Sequence, residues 1–424
     1  MAQMRILVVA ANAFSQTANN GKTYRSFIAD MPPENVAQFY TGTNESPDTE
    51  VCKSYFRITD IELSRAIISG KAPKNSHDSL IAGLQQNAKP AGQTGFIRSL
   101  KENVKNLAYV RDAIWASGKW DTNELDLWIR NFRPTHIFAV LGGNGNLHKV
   151  ALKLSQRYNL PLNVFFTDDY VLNDDSTNLL QRLYHHKLLK IYCRTIRHAA
   201  KCFVIGTKMK VAYEHFFKRE FDVLVNGIHF EKSQTPEPKL LDKHSKVVIS
   251  YIGGLHLNRA ESIIKLGQIF ERIHDYKFDI RVFCMAKPSA SILNRFKLHG
   301  IRFCGQLDAE GVKRQIEEAH ILLHAESFDS DIRKYTHFSV SSKIPEYMSS
   351  MRGIIAYGPH EIASVQIFEQ NKFGCVLTDL DSDSQMEDKL RAFLESYNQL
   401  DFARQYEFAY SNFNRENMQL SRKL

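Results

Sequence analysis

The stretch Ser341-Ser342-Lys343-Ile344-Pro345-Glu346-Tyr347-Met348-Ser349-Ser350, followed by Gly353-Ile354-Ile355-Ala356-Tyr357-Gly358-Pro359, carries the most information in this 424-residue chain. Serines ahead of Pro345 mark a helix start, because their hydroxyls satisfy free amides and a first-turn proline loses no helical hydrogen bond. The apolar run Ile354–Ala356, entered at Gly353 and closed by Gly358-Pro359, has the length and boundaries of a buried strand. The exposed amides and positive dipole end of the helix favour an anion, and Lys343 adds a cation there. Glu346, one turn in, can accept hydrogen bonds from two neighbouring hydroxyls such as those of a ribose. Ser341, Ser342, Lys343 and Glu346 thus read as a nucleoside-diphosphate pocket, although the same residues also make an ordinary capped helix with an exposed lysine and glutamate.

Working outward, short apolar runs alternate with segments of helical period, the pattern of parallel strands joined by crossover helices. Strands are expected at Ile6–Ala10, Ile137–Leu141, Asn163–Phe166, Cys202–Ile205 and Val223–Val225 in the first half. In the second half they are expected at Val247–Ile252, Asp279–Phe283, Ile321–His324, Gly353–Ala356 and Gly374–Leu377. Glu231–Ser245, with Pro236 and Pro238 among many charges, reads as an interdomain linker. The expectation is α/β: two doubly wound Rossmann-like domains, residues 1–230 and 246–395, facing across a cleft, with terminal helices over 396–424. Ligands of such sheets bind beyond the carboxyl ends of the strands, so function is sought in the loops that follow them.

The hydrophobic set makes up 43% of residues and charged residues 24%, an ordinary globular composition. No apolar run approaches the length of a spanning helix or a signal peptide. The six cysteines are far apart and form no close pair of metal-ligand type, which suggests reduced thiols in a cytoplasm and sets zinc and disulfide scaffolds aside.

The net charge of +9 is unevenly placed: residues 1–229 hold 29 Lys or Arg against 20 Asp or Glu, and the remainder is balanced. Ser176–Tyr213 holds eight Lys or Arg and no acid. In it Arg182, His186, Lys190, Arg194, Arg197 and Lys201 recur every three or four residues, while Leu180, Tyr184, Leu188, Ile191, Tyr192 and Ile196 form an apolar stripe. Phe96–Trp120 similarly mixes Arg98, Lys101, Lys105, Arg111 and Lys119 with Leu100, Val104, Leu107, Ile114, Trp115 and Trp120. Such faces suit anionic lipid headgroups at the inner face of a cell membrane. They equally suit solvated basic helices packed on their own core. Nucleic acid is not expected, since no helix-turn-helix, zinc-finger or RNA-binding signature accompanies the charge.

Several motifs fail on inspection. Asn20-Gly21-Lys22-Thr23 resembles the end of a P-loop, but Gln16 stands where the earlier glycine is required; a loop approaching a phosphate or sugar remains. Gly142-Gly143-Asn144-Gly145-Asn146 lacks the third glycine of a dinucleotide fingerprint, His148 standing in its place. Asp329-Ser330-Asp331 reads as a solvated loop, and His185-His186 as part of the basic face. Asp168 and Asp169 end an apolar run at the carboxyl edge of a strand, where they can meet a sugar hydroxyl or acceptor, or cap the next segment.

The 341–359 stretch resembles the glycosyltransferase family 4 group of GT-B enzymes, especially bacterial transferases of capsule and exopolysaccharide assembly. His324-Ala325-Glu326-Ser327, Ser342-Lys343, Glu346-Tyr347 and Ile354–Pro359 carry the likeness. Tyr251-Ile252-Gly253-Gly254-Leu255 with Arg259 looks like the family's other diphosphate loop, and Asn19–Thr23 like its first-domain glycine loop. The resemblance implies a retaining transfer of a hexose-type sugar from a nucleotide sugar to a glycan or polyprenyl-diphosphate-linked acceptor, with no metal or other cofactor required. It implies Arg259 and Lys343 on the departing diphosphate, Glu326 on the donor sugar, Glu346 on the ribose and Gly253 and Gly254 beside the diphosphate. Gly21 and Lys22 would line the acceptor side, the first domain binding the acceptor. The chain departs from the family at Phe338, where a second glutamate is usual, at Gly254 in place of arginine, and at Met351 and Gly353 in place of glycine and proline. A sugar-nucleotide epimerase of the same fold and a non-catalytic membrane scaffold stay open as alternatives.

Overall fold

The computed structural model describes residues 3–16, 19–42, 47–77, 104–143, 145–172, 174, 178–230, 235–242 and 244–424. The basic positions Arg98 and Lys101, Asn144 and part of the 231–245 linker lie outside them. Two compact units form: Met1–Val225 with Met418–Leu424, and Asn226–Asn417.

The first unit is built on a seven-stranded parallel sheet of β1 (Ile6–Ala10), β2 (Val36–Tyr40), β3 (Ser54–Arg57), β4 (His136–Leu141), β5 (Leu162–Phe166), β6 (Lys201–Val204) and β7 (Asp222–Val223). Its order is β3-β2-β1-β4-β5-β6-β7. β1 and β5 are buried at every position, as expected of strands covered on both faces. β2 and β3 were not expected from sequence. β2 carries Gln38 at its centre, fully buried, which breaks the apolar run. Its amide is not wasted: Gln38 Oε1 accepts from Phe14 N (2.9 Å) and Nε2 donates to Asn12 O (3.0 Å), clamping the loop after β1.

The second unit holds β8 (Lys246–Ile252), β9 (Lys277–Phe283), β10 (Ile301–Gly305), β11 (Ile321–Ala325), β12 (Gly353–Tyr357) and β13 (Cys375–Leu377). They form a six-stranded parallel sheet ordered β10-β9-β8-β11-β12-β13. Here β10 was not expected; as an edge strand it exposes Arg302 and Cys304 and so lacks a continuous apolar run. Both orders reverse direction beside the first strand of the unit, between β1 and β4 and between β8 and β11, which is where doubly wound sheets open a crevice.

The core of the second unit packs helices Arg259–Phe270 and Asp383–Glu395 on this sheet, with Ile249, Ile264, Ile269, Leu323, Ile355 and Leu390 buried. The short helix Ile344–Ser349 is held from two sides. Tyr347 Oη lies 3.3 Å from Ile252 N at the end of β8. From the terminal helix Phe402–Phe413, Gln405 Nε2 donates to the Met348 and Arg352 carbonyls, both at 3.2 Å.

Two departures from the family pattern have physical reasons. Gly353 N donates to Tyr397 Oη (3.1 Å) and to His320 O (3.0 Å), a donor that proline lacks. A Cβ at Gly353 would lie 2.4 Å from the Tyr397 ring. Met351 keeps the left-handed conformation a glycine would adopt (φ 54°), and its side chain is buried in the core.

Of the two readings of the Phe96–Trp120 stretch, the tryptophans follow the one in which the apolar stripe packs on the core. Trp115 and Trp120 are buried, and Trp115 Nε1 donates to Asp60 Oδ1 (2.6 Å). Arg111 pairs with the same aspartate at 3.0 Å. The Asp329 carboxylate caps helix Ser330–Thr336 through Asp331 N (3.1 Å) and Ile332 N (3.2 Å).

Candidate functional site

The second unit's switch point is flanked by the loop after β8 and the end of β11. The β8 loop leaves through Gly253, whose N–H still donates to Phe283 O (2.9 Å), and is tied down by Tyr251 Oη donating to Gly254 O (2.7 Å). It closes on two consecutive left-handed residues, Leu257 (φ 58°) and Asn258 (φ 57°). Such conformations cost about 1–2 kcal/mol per residue for a side chain with a Cβ. Their effect is to turn the chain so that Arg259 opens the next helix.

Arg259 reaches across the switch point to Glu326, the residue that follows β11. Its Nε (3.1 Å) and Nη2 (2.9 Å) both donate to Glu326 Oε2. The other carboxylate oxygen accepts from Ser364 Oγ (3.2 Å), which itself lies 3.1 Å from His324 Nε2. Ser262 Oγ donates to the Glu326 carbonyl at 2.6 Å. Gly358 is a glycine because a Cβ there would stand 2.8 Å from the Glu326 Cβ. Glu326, 3% exposed, therefore has both oxygens engaged inside the unit and acts here as the residue that orients Arg259.

Lys343 precedes helix Ile344–Ser349 and brings a second cation to the same place. The position a Gly253 Cβ would take is 1.8 Å from Lys343 Nζ, so the missing side chain is the space the ammonium fills. The ammonium also stands 5.2 Å from the centre of the Tyr251 ring. Among the described residues it makes no hydrogen bond or ion pair.

Electrostatics follow from this crowding. Burial, then repulsion by Arg259, drives Lys343 down to about 8 despite the pull of Glu326 and Glu346. Burial alone would raise the Glu326 carboxyl, but His324, Arg259 and Lys343 override it and hold the group below the ordinary glutamate range. His324 is pushed down to about 4, chiefly by burial, and is neutral at pH 7. His256, in the glycine loop, is lowered by burial and by the same two cations. Two positive groups thus share one fully engaged carboxylate, an arrangement whose unmet need is a further anion.

The remaining expected residues separate into two groups. Ser341 is half-buried with Oγ 3.5 Å from Lys343 N, Ser342 is exposed, and half-buried Glu346 sits one turn beyond Lys343. These adjoin Gly253, Gly254, Arg259 and Lys343 in one unit. Gly21, Lys22, Asp168 and Asp169 belong to the other. Gly21 lies in helix Asn19–Phe27, where a Cβ would stand 2.4 Å from Ala13 O, and Lys22 beside it is exposed. Asp169 Oδ1 accepts from Val171 N (3.2 Å), Leu172 N (3.0 Å) and Tyr213 Oη (3.0 Å), a turn-building role. Asp168 accepts from Thr167 Oγ1 (3.1 Å). His148 is fully buried against Thr195 Oγ1 (3.2 Å), and burial lowers it to about 3.

Sequence reasoning missed Ser262 and Ser364. Ser262 lies one turn after Arg259 and was open to inspection; Ser364 meets Glu326 only through the fold. The His360, Glu361 and Asp379 cluster has metal-ligand spacing among the described residues, but Arg333 pairs with both carboxylates.

No protein-family model and no curated protein matches the chain. Solved structures do. Sucrose-phosphate synthase from Thermosynechococcus elongatus superposes with a TM-score of 0.60 at 12% identity, over 99% of this chain and 97% of that one. WaaG, a glycosyltransferase involved in lipopolysaccharide biosynthesis, gives 0.55 at 11% identity, over 96% and 95%. A trehalose-6-phosphate structure from E. coli bound with UDP-2-fluoro glucose gives 0.55 at 11% identity, over 99% and 98%. At these identities the likeness is one of fold. The chain has the α/β architecture, two parallel sheets with their helices, of GT-B glycosyltransferases.

Proposed function

We propose that the protein is a glycosyltransferase that moves a hexose-type sugar from a nucleoside-diphosphate sugar to a glycan, free or carried on polyprenyl diphosphate, in surface polysaccharide assembly. The observation that carries this reading is the pair of cations, Arg259 and Lys343, held at the switch point beside Gly253, with Glu326 as the buried partner of Arg259. A diphosphate supplies two adjacent anionic groups, and Glu346 is one helical turn away to accept ribose hydroxyls. The fold supports the reading, and the UDP-2-fluoro glucose of the E. coli structure supports a nucleotide-sugar donor.

In this mechanism the bond between the anomeric carbon and the diphosphate oxygen breaks with its electron pair going to that oxygen. Charge grows on the departing group, where Lys343 and Arg259 stabilise it more than they stabilise the intact donor. The acceptor hydroxyl oxygen forms the new bond to the anomeric carbon, on the face the diphosphate leaves, and its proton passes to the departing diphosphate. Stereochemistry is retained. Glu326 takes no part in bond making: it holds the guanidinium in place.

The test is release of nucleoside diphosphate from UDP-, GDP- and dTDP-hexoses with a polyprenyl-diphosphate glycan as acceptor. Acceptor-dependent turnover with one donor, lost in Lys343→Ala and in Arg259→Ala, is expected. Conversion of the free donor without acceptor would make the protein an epimerase instead, and binding without any turnover would make it a scaffold.

A further inference from the structure

The basic helix of the first unit takes no part in that chemistry, yet its surface is organised. It spans Leu179–His198, 20 residues and about 30 Å, and contains no acid. At 100° per residue, Leu179, Leu183, His186, Lys190, Arg194 and Arg197 fall within an arc of about 80°. The far side, with Leu188, Tyr192, Thr195 and Ile196, is buried in the unit. The stripe is therefore one straight outward line, apolar at its start and basic thereafter, with Arg182 and Leu180 about 40° beyond its two edges.

The neighbouring acids do not neutralise it. Asp112 pairs with Lys187 (2.6 Å) on the flank. His185 turns inward instead of joining the basic face: its Nε2 lies 3.0 Å from Val171 O, and Nδ1 is 3.8 Å from Asp174. Arg182, Lys190, Arg194 and Arg197 are exposed and have no ion pair among the described residues. Beside them Leu179, Leu180 and Leu183 are 72%, 60% and 57% exposed. Three leucines standing open together at one end of a cationic line are not what a merely solvated helix needs.

We propose that this face docks on an anionic lipid bilayer, the helix lying flat on the headgroups with Arg182, Lys190, Arg194 and Arg197 on phosphates and Leu179, Leu180 and Leu183 entering the interfacial layer. The charge complements anionic headgroups, and the leucines decide between polyanions. A nucleic acid strand meets the cations but gives the leucines nothing apolar to enter, whereas the headgroup boundary offers both. Among the described residues no helix is long and apolar enough to cross a membrane, so the contact is interfacial. The inference rests on this face alone and is independent of the transferase reading.

The test is sedimentation of the full chain with vesicles of phosphatidylcholine alone or with 30% phosphatidylserine. Binding to the serine-containing vesicles only, weakened by 0.5 M salt, is expected. The variant Arg182→Glu/Lys190→Glu/Arg194→Glu/Arg197→Glu should bind at least about fiftyfold more weakly, each cation near such a surface contributing about fivefold. Leu179→Ser/Leu180→Ser/Leu183→Ser, which keeps every charge, should lose about tenfold or more. Unchanged circular dichroism and thermal midpoint establish that both variants fold; if either fails to fold, single substitutions at Lys190 and Leu183 replace it. No pelleting of the wild type, equal pelleting with both vesicle types, or unchanged binding by the quadruple variant would overturn the proposal. So would single-stranded RNA binding tighter than vesicle binding and indifferent to the leucine variant, which would reassign the face to nucleic acid.

Discussion

At the switch point of the first sheet Gln38, His148 and Asp169 are bonded within the fold; at that of the second a cation is left over. In the first unit Gln38 clamps the loop after β1, His148 is buried neutral against Thr195, and Asp169 is tied into its own turn. In the second, Glu326 satisfies Arg259, and Lys343 has no counterpart among the described residues. The glycines differ in the same sense. Gly21 is small so that backbone can close on backbone, whereas Gly253 is small so that an ammonium can occupy the space beside it. The two units thus differ in what these residues leave uncommitted once packing is satisfied, and the proposed chemistry is placed where a charge remains.

The comparison breaks most visibly at Glu326. Glu326→Ala leaves Arg259 buried without its partner and should cost about 3–5 kcal/mol by denaturant unfolding. A loss near zero would mean that the guanidinium does not depend on this carboxylate.

The glycine pair sharpens it. Gly21→Ala drives a Cβ to within 2.4 Å of the Ala13 carbonyl oxygen, where backbone must move, and should destabilise by about 1–3 kcal/mol without altering nucleotide affinity. Gly253→Ala meets only the far end of a flexible lysine, at 1.8 Å, so stability should fall by less than about 1 kcal/mol. Displacing the ammonium should nevertheless weaken diphosphate binding about tenfold. Calorimetry and nucleotide titration of the two variants separate these effects, and equal profiles would dissolve the distinction.

A smaller effect concerns pH. Lys343 falls from an ordinary 10.5 to about 8 in the folded protein, so the unfolded chain holds that proton more tightly. Stability of the free protein should then rise as pH climbs from about 8 toward about 10.5. Diphosphate affinity should fall over the same interval as the ammonium is lost. Melting temperature of the free protein and the dissociation constant should therefore rise together over this interval, and both trends should flatten in Lys343→Met; a melting temperature that falls, or a dissociation constant that stays level, would contradict the assignment.

How much of this is legible in the sequence depends on burial. Strands covered on both faces, such as Ile6–Ala10 and Gly353–Tyr357, announce themselves as apolar runs. β10 does not, because an edge strand alternates, and β2 does not, because Gln38 interrupts it for the sake of a loop. Lys343, Arg259 and Glu326 stand in local patterns that short-range reasoning reaches. The bond joining the last two spans 67 residues, and that from Ser364 to Glu326 spans 38, so only the closed sheet reveals them. Trp115 mixes with basic residues in sequence yet goes to the core, since amphipathic spacing alone does not say which face meets water.

The central claim is that Lys343, left without a partner among the described residues, binds a nucleoside diphosphate together with Arg259 beside it. It is tested most directly by the melting temperature of the purified protein with excess UDP, GDP, dTDP, CMP, ATP or NAD, each also against Lys343→Ala. A ligand at a hundred times its dissociation constant adds about 2.7 kcal/mol, a rise of several degrees for domains of this size. A rise with one or more of UDP, GDP and dTDP, absent in the variant, is the predicted result. No rise with any of these diphosphates, or an equal rise in the variant, would contradict it.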